Sequence, residues 1–323
     1  MPVWWSTLRG LCSKVGMGDM SNRFSIVIPV YNNEKNLPIT VPFIMERLYM
    51  FVGYDVEVIM VCDGSPDASY AVMKQMKREY PDVLRIVRFT RNFGQGAATR
   101  CGIDLATGDV IGVISCDLQD PFELFVEMLK EYEKGADLVI GRRVKRNDGT
   151  SDLWSKAFHR TVHKYIDKRY PAGGFDFYVM SRRVAEDFKL IDAPNGSTQL
   201  ALLWLGYDYV EVPYERQHRE VGTSGWNASK KIMAAMGFFA TYSPILTRMW
   251  LFAGMLVLLF ALALLIASCC LGFQSQLVSS LYQFLTLCGI GLLFFAVALL
   301  GEYSWRGYWQ SLDRPRYIIA EQE

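Results

Sequence analysis

Four short segments carry much of the polar chemistry in this 323-residue chain. They are Pro29-Val30-Tyr31-Asn32-Asn33-Glu34, Cys62-Asp63-Gly64-Ser65-Pro66-Asp67, Thr90-Arg91-Asn92-Phe93-Gly94-Gln95 and Ser115-Cys116-Asp117-Leu118-Gln119-Asp120-Pro121. Each sets a carboxylate, an amide or an aromatic ring directly after a run of apolar residues, where such groups could hold a polar ligand. Singly, each has a local explanation, because Asp and Gly are common in turns and at helix N-caps. Asp67 and Asp120 suit that capping role. Four in series, in the same relation to four apolar runs, are a stronger sign of a binding rim.

Other chemistries are poorly supplied. The seven cysteines (Cys12, Cys62, Cys101, Cys116, Cys269, Cys270 and Cys288) form no CxxC pair. His159 and His163 stand four apart but lack an HExxH glutamate and a third ligand, which argues against zinc. Reduced, mostly buried thiols are the simpler reading. Gly94-Gln95-Gly96 lacks the third glycine of a dinucleotide fingerprint, and its acidic partner would have to be Asp117, which belongs to another strand end. The 34 basic and 33 acidic residues nearly cancel, leaving +1, which argues against a nucleic-acid partner held mainly by phosphate contacts.

The polar segments need elements that present them on one side. Phe24–Val30, Val56–Val61, Leu84–Phe89, Val110–Ser115 and Leu138–Ile140 read as short buried strands. Leu37–Phe51, Ser69–Tyr80, Ala97–Thr107 and Pro121–Lys134 read as helices between them. This alternation predicts an α/β fold with a mostly parallel sheet covered on both faces. Ligands of such sheets bind beyond the carboxyl ends of the strands, where the four segments stand. Residues 20–225 are enough for one domain with a sizeable core. Residues 1–19 lack the apolar run of a signal peptide and read as a flexible extension, with translation expected to begin at Met17 or Met20.

The second half is different. Between Arg248 and Glu302 there is no Asp, Glu, Lys or Arg. A membrane-spanning helix needs about 20 apolar residues, and Met249–Phe273 and Val278–Gly301 each provide them, with GFQSQ as the polar break. Residues 248–301 are therefore expected to form a two-helix transmembrane hairpin. Lys230, Lys231 and Arg248 precede the first span, and Arg306, Arg314 and Arg316 follow the second, so the positive-inside rule puts both flanks, including a tail at 302–323, in the cytoplasm. Residues 226–247 mix Lys230 and Lys231 with Trp226, Ile232, Met236, Phe238 and Phe239, a composition for amphipathic helices lying in the headgroup region; an ordinary packed helix is the alternative.

The chain resembles a known family. SIVIPVYNNE, CDGSPD, TRNFGQGAA, CDLQDPFEL, GRRVKR, GGFDFYVMSR and ERQHREVGTSGW, followed by two apolar spans, are similar to the membrane-anchored polyprenyl-phosphate glycosyltransferases. These include dolichol-phosphate mannose synthase and the bactoprenol glucosyltransferases, within the inverting, GT-A-fold (Rossmann-like) glycosyltransferase family 2. The likeness runs from about Phe24 to Gly301. It implies that Pro29, Tyr31, Asn33, Asp63 and Gln95 bind the nucleotide, with Tyr31 packing on the base. It makes Asp117 and Gln119 ligands of Mg²⁺ or Mn²⁺ on the diphosphate, and Arg143, Arg146 and Arg219 the cations that meet phosphate. Asp176, with Asp117, falls among the catalytic residues, acting on the acceptor phosphate through a shared cation or on charge at the sugar C1; a structural partner of Arg182 or Arg183 is the other reading. The implied reaction is inverting transfer from a nucleotide sugar, UDP-glucose first and other UDP-sugars or GDP-mannose behind it, to polyprenyl (undecaprenyl) phosphate. The implied setting is a homo-oligomer at the inner (plasma) membrane with its catalytic domain in the cytoplasm.

Several positions depart from that family's pattern. Ser115 stands where a carboxylate is usual, Cys62 replaces the first Asp of DDGS, Asn33 a glutamate, Tyr178 an arginine and Gly225 a lysine. A catalytically weakened membrane scaffold is therefore a second reading, while two spans are too few for the channel of a processive synthase. A phosphomonoester acceptor has a second pKa of about 6 and is already ionised at neutral pH, so no strong base is needed; His218 and the His159/His163 pair are the nearest candidates. The demand is for cations where charge develops. From Arg142 to Lys189 there are twelve Lys or Arg against six Asp or Glu, an excess that also suits anionic headgroups.

Overall fold

The structure is a computed structural model, and it describes residues 22–144, 162–163, 167–171, 174–191, 197–216, 245–271, 276–312 and 314–323. The chain divides into two units, residues 1–227 with 315–323, and residues 228–314.

The first unit is built on one eight-stranded sheet. Its strands are β1 (Asn22–Val30), β2 (Tyr54–Cys62), β3 (Leu84–Phe89), β4 (Val110–Val113), β5 (Leu138–Arg143), β6 (Tyr178–Ser181), β7 (Tyr209–Tyr214) and β8 (Ile319–Gln322). They lie in the order β7-β5-β6-β4-β1-β2-β3-β8. The pairs β1/β2, β1/β4, β2/β3 and β5/β7 are parallel, while β6 runs antiparallel to β4 and β5, and β8 antiparallel to β3. The helices are α1 (Leu37–Arg47), α2 (Ser69–Glu79), α3 (Gln95–Leu105), α4 (Leu124–Glu133), α5 (Arg182–Leu190) and α6 (Thr198–Trp204).

The near-continuous apolar runs of β1 and β2 are buried on both faces, as strands of a covered parallel sheet must be. Phe24 packs edge-on against Phe51 and Phe125, and Phe125 against Phe122 and Phe177, so five rings drawn from strand, loop and helix close one side of the sheet. Gly112 of β4 allows this, since a Cβ there would stand 2.4 Å from Phe125. One buried charge is part of the frame. Glu57 accepts hydrogen bonds from Ser25 Oγ (2.6 Å) and from Thr107 N and Oγ1 (both 2.7 Å), and pairs with Arg85 at 3.2 Å.

The first five strands and the four helices among them follow the sequence reading, with small changes at their ends. The helix predicted over Leu37–Phe51 stops at Arg47 and passes into a 3-10 turn, Leu48–Met50. The C-terminal segment differs more: rather than a free tail, residues 319–322 form an edge strand on β3.

In the second unit, α7 (Ile245–Leu271) and α8 (Gln276–Ser311) are each long and apolar enough to cross a membrane, with windows at Trp250–Ala267 and Leu281–Trp305 of mean hydropathy 2.7 and 2.5. Trp250 stacks on Phe295, their ring centroids 4.0 Å apart, so the two helices pack on each other. The stretch expected as interfacial helices lies outside the described residues up to position 244, and 245–247 open α7.

Candidate active site

The chain winds from β1 through β2 to β3 on one side of the sheet, and β4 then starts the other side of β1. The connections after β1 and β4 stand side by side here, the Thr40 hydroxyl donating to Cys116 O at 2.9 Å, and the carboxyl ends of the strands are where open α/β sheets bind ligands. Pro29 marks the place. Val27 faces β4, accepting from Ile114 N at 3.1 Å. Pro29, two residues on, faces the same way, but β4 pairing has ended, so its missing N–H deprives no ladder partner.

The loops on this rim hold one another. Consecutive N–H groups of the first loop donate to side chains of the second: Asn32 to Ser65 Oγ (3.2 Å), Asn33 to Ser69 Oγ (2.9 Å) and Glu34 to Asp67 Oδ2 (3.2 Å). Asn32 takes a left-handed φ of 53°, which an asparagine tolerates. The Asn33 side chain donates to Tyr31 O at 3.0 Å and accepts from Asn36 at 2.8 Å, so its amide shapes the loop. Tyr31, by contrast, is 44% exposed. Asp67 also accepts from Ser69 N at 3.1 Å, a local bond just ahead of α2, whose N-cap position is Ala68 rather than the expected Asp67.

Asp63 is 2% exposed, and its two oxygens accept from Phe93 N (2.6 Å) and Gly94 N (2.9 Å), tying the second loop to the third. Burial pushes the Asp63 carboxyl above its ordinary value, against the lowering effect of those two amides and of Arg91. Gly64 is required between them. It has φ +56°, and a Cβ would meet Arg91 C at 2.2 Å. Gln95, exposed, opens α3 directly after Gly94.

The fourth loop carries a carboxylate cluster. Ser115 Oγ lies 2.7 Å from Asp117 Oδ1 and 3.1 Å from Asp120 Oδ2, so one hydroxyl serves two carboxylates. Leu118, between Asp117 and Gln119, has φ 52°. That conformation is costly for a bulky L-residue and is typical of functional loops. Asp120 is not a helix cap. It is 1% exposed and accepts from Tyr214 OH at 2.5 Å, with Arg216 at 3.8 Å and Arg143 at 4.0 Å.

Arg143 continues this chain of contacts. Its Nε donates to Tyr214 OH at 3.1 Å and its Nη2 to Asp176 Oδ2 at 2.8 Å, while Gln199 Nε2 donates to Asp176 Oδ1 at 2.6 Å. Burial alone would lower the Arg143 pKa; Asp176, Tyr214 and Asp120 outweigh it and hold the guanidinium charged. Asp176 therefore pairs with Arg143, while Arg182 bonds Gly108 O and Glu186, and Arg183 lies over the Tyr207 ring. Arg146, Arg219, His159 and His218 lie outside the described residues. The His163 ring sits 3.2 Å from Tyr170 O. Burial pushes the Cys116 thiol up to about 12, which removes it as a nucleophile at neutral pH.

Among the described residues no three His, Cys, Asp or Glu side chains group to hold a metal. The rim's oxygen donors, the Asp117 carboxylate with Gln119 and Ser115, fit a hard dication held through one carboxylate, water and a substrate diphosphate rather than an all-protein cage.

The family model described as Glycosyl transferase family 2 matches residues 25–188. A "Prophage bactoprenol glucosyl transferase homolog" of Escherichia coli (strain K12) is 32% identical over 308 residues, 92% of this chain and 98% of its own. The chain belongs to glycosyl transferase family 2. This glycosyltransferase is also 31% identical to the "Bactoprenol glucosyl transferase" of Shigella phage SfX, over 93% of this chain and all of the phage protein. A crystal structure of a mycobacterial protein, 17% identical, superposes with a TM-score of 0.51 over 68% of this chain and 74% of that one, a likeness of fold.

Sequence reasoning missed three residues of the glycosyltransferase's rim network. Tyr214 and Gln199 have no local motif, and Asp120 has one that points to capping. Only β7, placed beside β5, brings Tyr214 to Asp120 across 94 positions of chain.

Proposed function

We propose that this glycosyltransferase moves a glucosyl group from UDP-glucose to the phosphate of a polyprenyl lipid, with inversion at the sugar C1. The observation that carries the reading is the joining, in one chain, of a strand-end rim bearing Asp117 and Arg143 to two helices long and apolar enough to cross a bilayer. Relatives named for bactoprenol glucosyl transfer, matched over more than nine-tenths of this chain, support the same donor and acceptor classes.

In this reading Tyr31 stacks on the nucleotide base and the amide-bound Asp63 holds the third loop against it. Asp117, with Gln119, would hold Mg²⁺ or Mn²⁺. When bound, that ion would neutralise charge on the leaving diphosphate. Arg143 supplies a cation whose position is fixed before the reaction, so no reorganisation is needed as charge develops. Asp176, oriented at both oxygens, fixes that cation and faces the acceptor side. The acceptor phosphate oxygen attacks C1, the bond from C1 to the UDP oxygen breaks, and UDP departs; the ionised acceptor needs no proton removed.

The proposed setting is the cytoplasmic face of the plasma membrane. Residues on both sides of the helix pair, 22–216 and 319–322, build one sheet, so both flanks of the pair share one side of any bilayer it crosses. Two crossings, with the basic flanks on the cytoplasmic side, would suit that arrangement.

A thermal-shift panel of UDP-glucose, other UDP-sugars and GDP-mannose, with and without Mg²⁺, tests the donor. UDP-glucose with Mg²⁺ is expected to stabilise most. A larger shift with GDP-mannose would overturn that choice.

A further inference from the structure

The segment that follows α8 does more than cover a sheet edge. Arg316 donates to Ile191 O at the end of α5, Thr90 N donates to Ile318 O at 3.1 Å, and Glu321 pairs with Lys74 and with Arg88. Tyr317 sits at its centre. Its ring is stacked on Phe89, with centroids 5.1 Å apart and planes 10° from parallel, and its hydroxyl donates to Asp104 Oδ2 at 2.9 Å.

Phe89 is the last residue of β3 and is almost wholly buried, so what it touches on its other edge is held. That neighbour is Phe93, edge-on at 5.7 Å, and the Arg91 guanidinium lies over the Phe93 ring at 3.9 Å. The column Tyr317–Phe89–Phe93–Arg91 therefore runs into the third rim loop through Phe93, the residue whose N–H bonds Asp63. Asp104 adds a second route to the same place. It is on α3, the helix that begins at Gln95, and it also accepts from Arg100 Nε at 2.9 Å. Arg100 in turn donates to the Phe188 and Lys189 carbonyls of α5 at 2.8 and 2.5 Å.

We propose that Tyr317 is a positioning residue for the nucleotide-binding side of the rim: by stacking on Phe89 it fixes Phe93, and so the Phe93–Gly94 amides that hold Asp63. The C-terminal strand thereby sets donor affinity from outside the site. This rests on the donor reading above for its ligand, though the coupling of ring column to loop does not.

The test uses the full-length protein in nanodiscs with the variants Tyr317→Ala, Tyr317→Leu, Tyr317→Phe and Glu321→Gln. Amide exchange over residues 91–95 and UDP affinity by calorimetry are read together, with donor KM and kcat. Loss of one aromatic pair predicts UDP binding weaker by about threefold to tenfold in Tyr317→Ala, faster exchange at Phe93 and Gly94, and kcat at saturating donor nearly unchanged. Tyr317→Leu, which keeps apolar bulk, should show the same pattern more weakly. Tyr317→Phe keeps the stack but loses the bond to Asp104, so it should fall between wild type and Tyr317→Ala; Glu321→Gln loosens the same strand without touching the column and should leave loop exchange and UDP affinity alone. Unchanged exchange at Phe93 and Gly94 in Tyr317→Ala and Tyr317→Leu, or equal changes in Glu321→Gln, would overturn the proposal. A wild-type protein that binds no UDP would instead contradict the donor reading, and the exchange measurement would still decide the coupling.

Discussion

Arg143 and Asp176 form an ion pair of unequal burial: the two side chains meet at 2.8 Å, yet the guanidinium is 8% exposed and the carboxylate 42%. The cation is sunk in the protein and the anion faces outward, so the pair is a charge that the protein positions rather than a surface bridge. Asp176→Asn preserves shape and the Gln199 contact but removes the nearest countercharge. It is expected to lower kcat by about a hundredfold, the size seen when one preorganised electrostatic contact is lost, with donor KM nearly unchanged. Steady-state kinetics at saturating acceptor check this, and normal turnover would remove Asp176 from the catalytic set.

Ser115 makes the fourth loop unusual for the family it resembles, because a neutral hydroxyl stands between Asp117 and Asp120. One protein carboxylate is a modest hold on Mg²⁺ or Mn²⁺. Ser115→Asp is expected to lower the half-saturating metal concentration for UDP binding by about tenfold, or about 1.4 kcal/mol. Calorimetric metal titrations of both proteins decide it. Saturation of the wild type at micromolar Mg²⁺ would contradict the weak-hold account.

Gly64 sets how closely the second and third loops approach. In Gly64→Ala the new Cβ has no room against the Arg91 carbonyl carbon at 2.2 Å, so the loops must part. The Asp63 bonds to Phe93 and Gly94 then lengthen, and donor affinity is expected to fall at least tenfold while the sheet survives. Far-ultraviolet circular dichroism and UDP calorimetry separate these outcomes. Tight UDP binding by the variant would show that the loop contact is dispensable.

Glu57 makes the fold sensitive to acid. Burial would raise its pKa, but hydrogen bonds from Ser25 and Thr107 together with the Arg23 charge outweigh it and hold the carboxyl below its ordinary value. The stability it contributes is present above the unfolded-state pKa of about 4.3 and is lost as the pH falls through the lower folded value. Glu57→Gln should therefore destabilise by about 1.5–3 kcal/mol at pH 7, the worth of hydrogen bonds to a charged group, since Arg23 and Arg85 stay partly solvated. The gap should narrow below pH ~4. Unfolding midpoints of both proteins across that range test the sign; a gap that widens in acid would refute it.

How much of this was legible in the sequence follows from how far apart the causes lie. β1 to β5 are readable because burial on both faces makes each a local apolar run. β6 (YVMS) and β8 (IAEQ) are four residues long, and their places are set by neighbours distant in sequence, Val110–Val113 for β6 and Val87–Phe89 for β8. At the site, Asp63 and Asp117 stand out because strand ends announce them. Asp120 misleads, since a local cap and a long-range bond to Tyr214 look alike in one dimension. Gln199 has no signal at all: its role exists only where α6 brings it to Asp176.

The central claim is that the rim around Asp117 delivers a sugar to a membrane lipid. Its most direct test is transfer of radiolabel from UDP-glucose to undecaprenyl phosphate by purified protein in nanodiscs, beside Asp117→Ala in the same lipid. The account predicts label in the organic phase with the wild type and its loss with the variant. No lipid-phase label from the wild type, or equal label from both proteins, would contradict it.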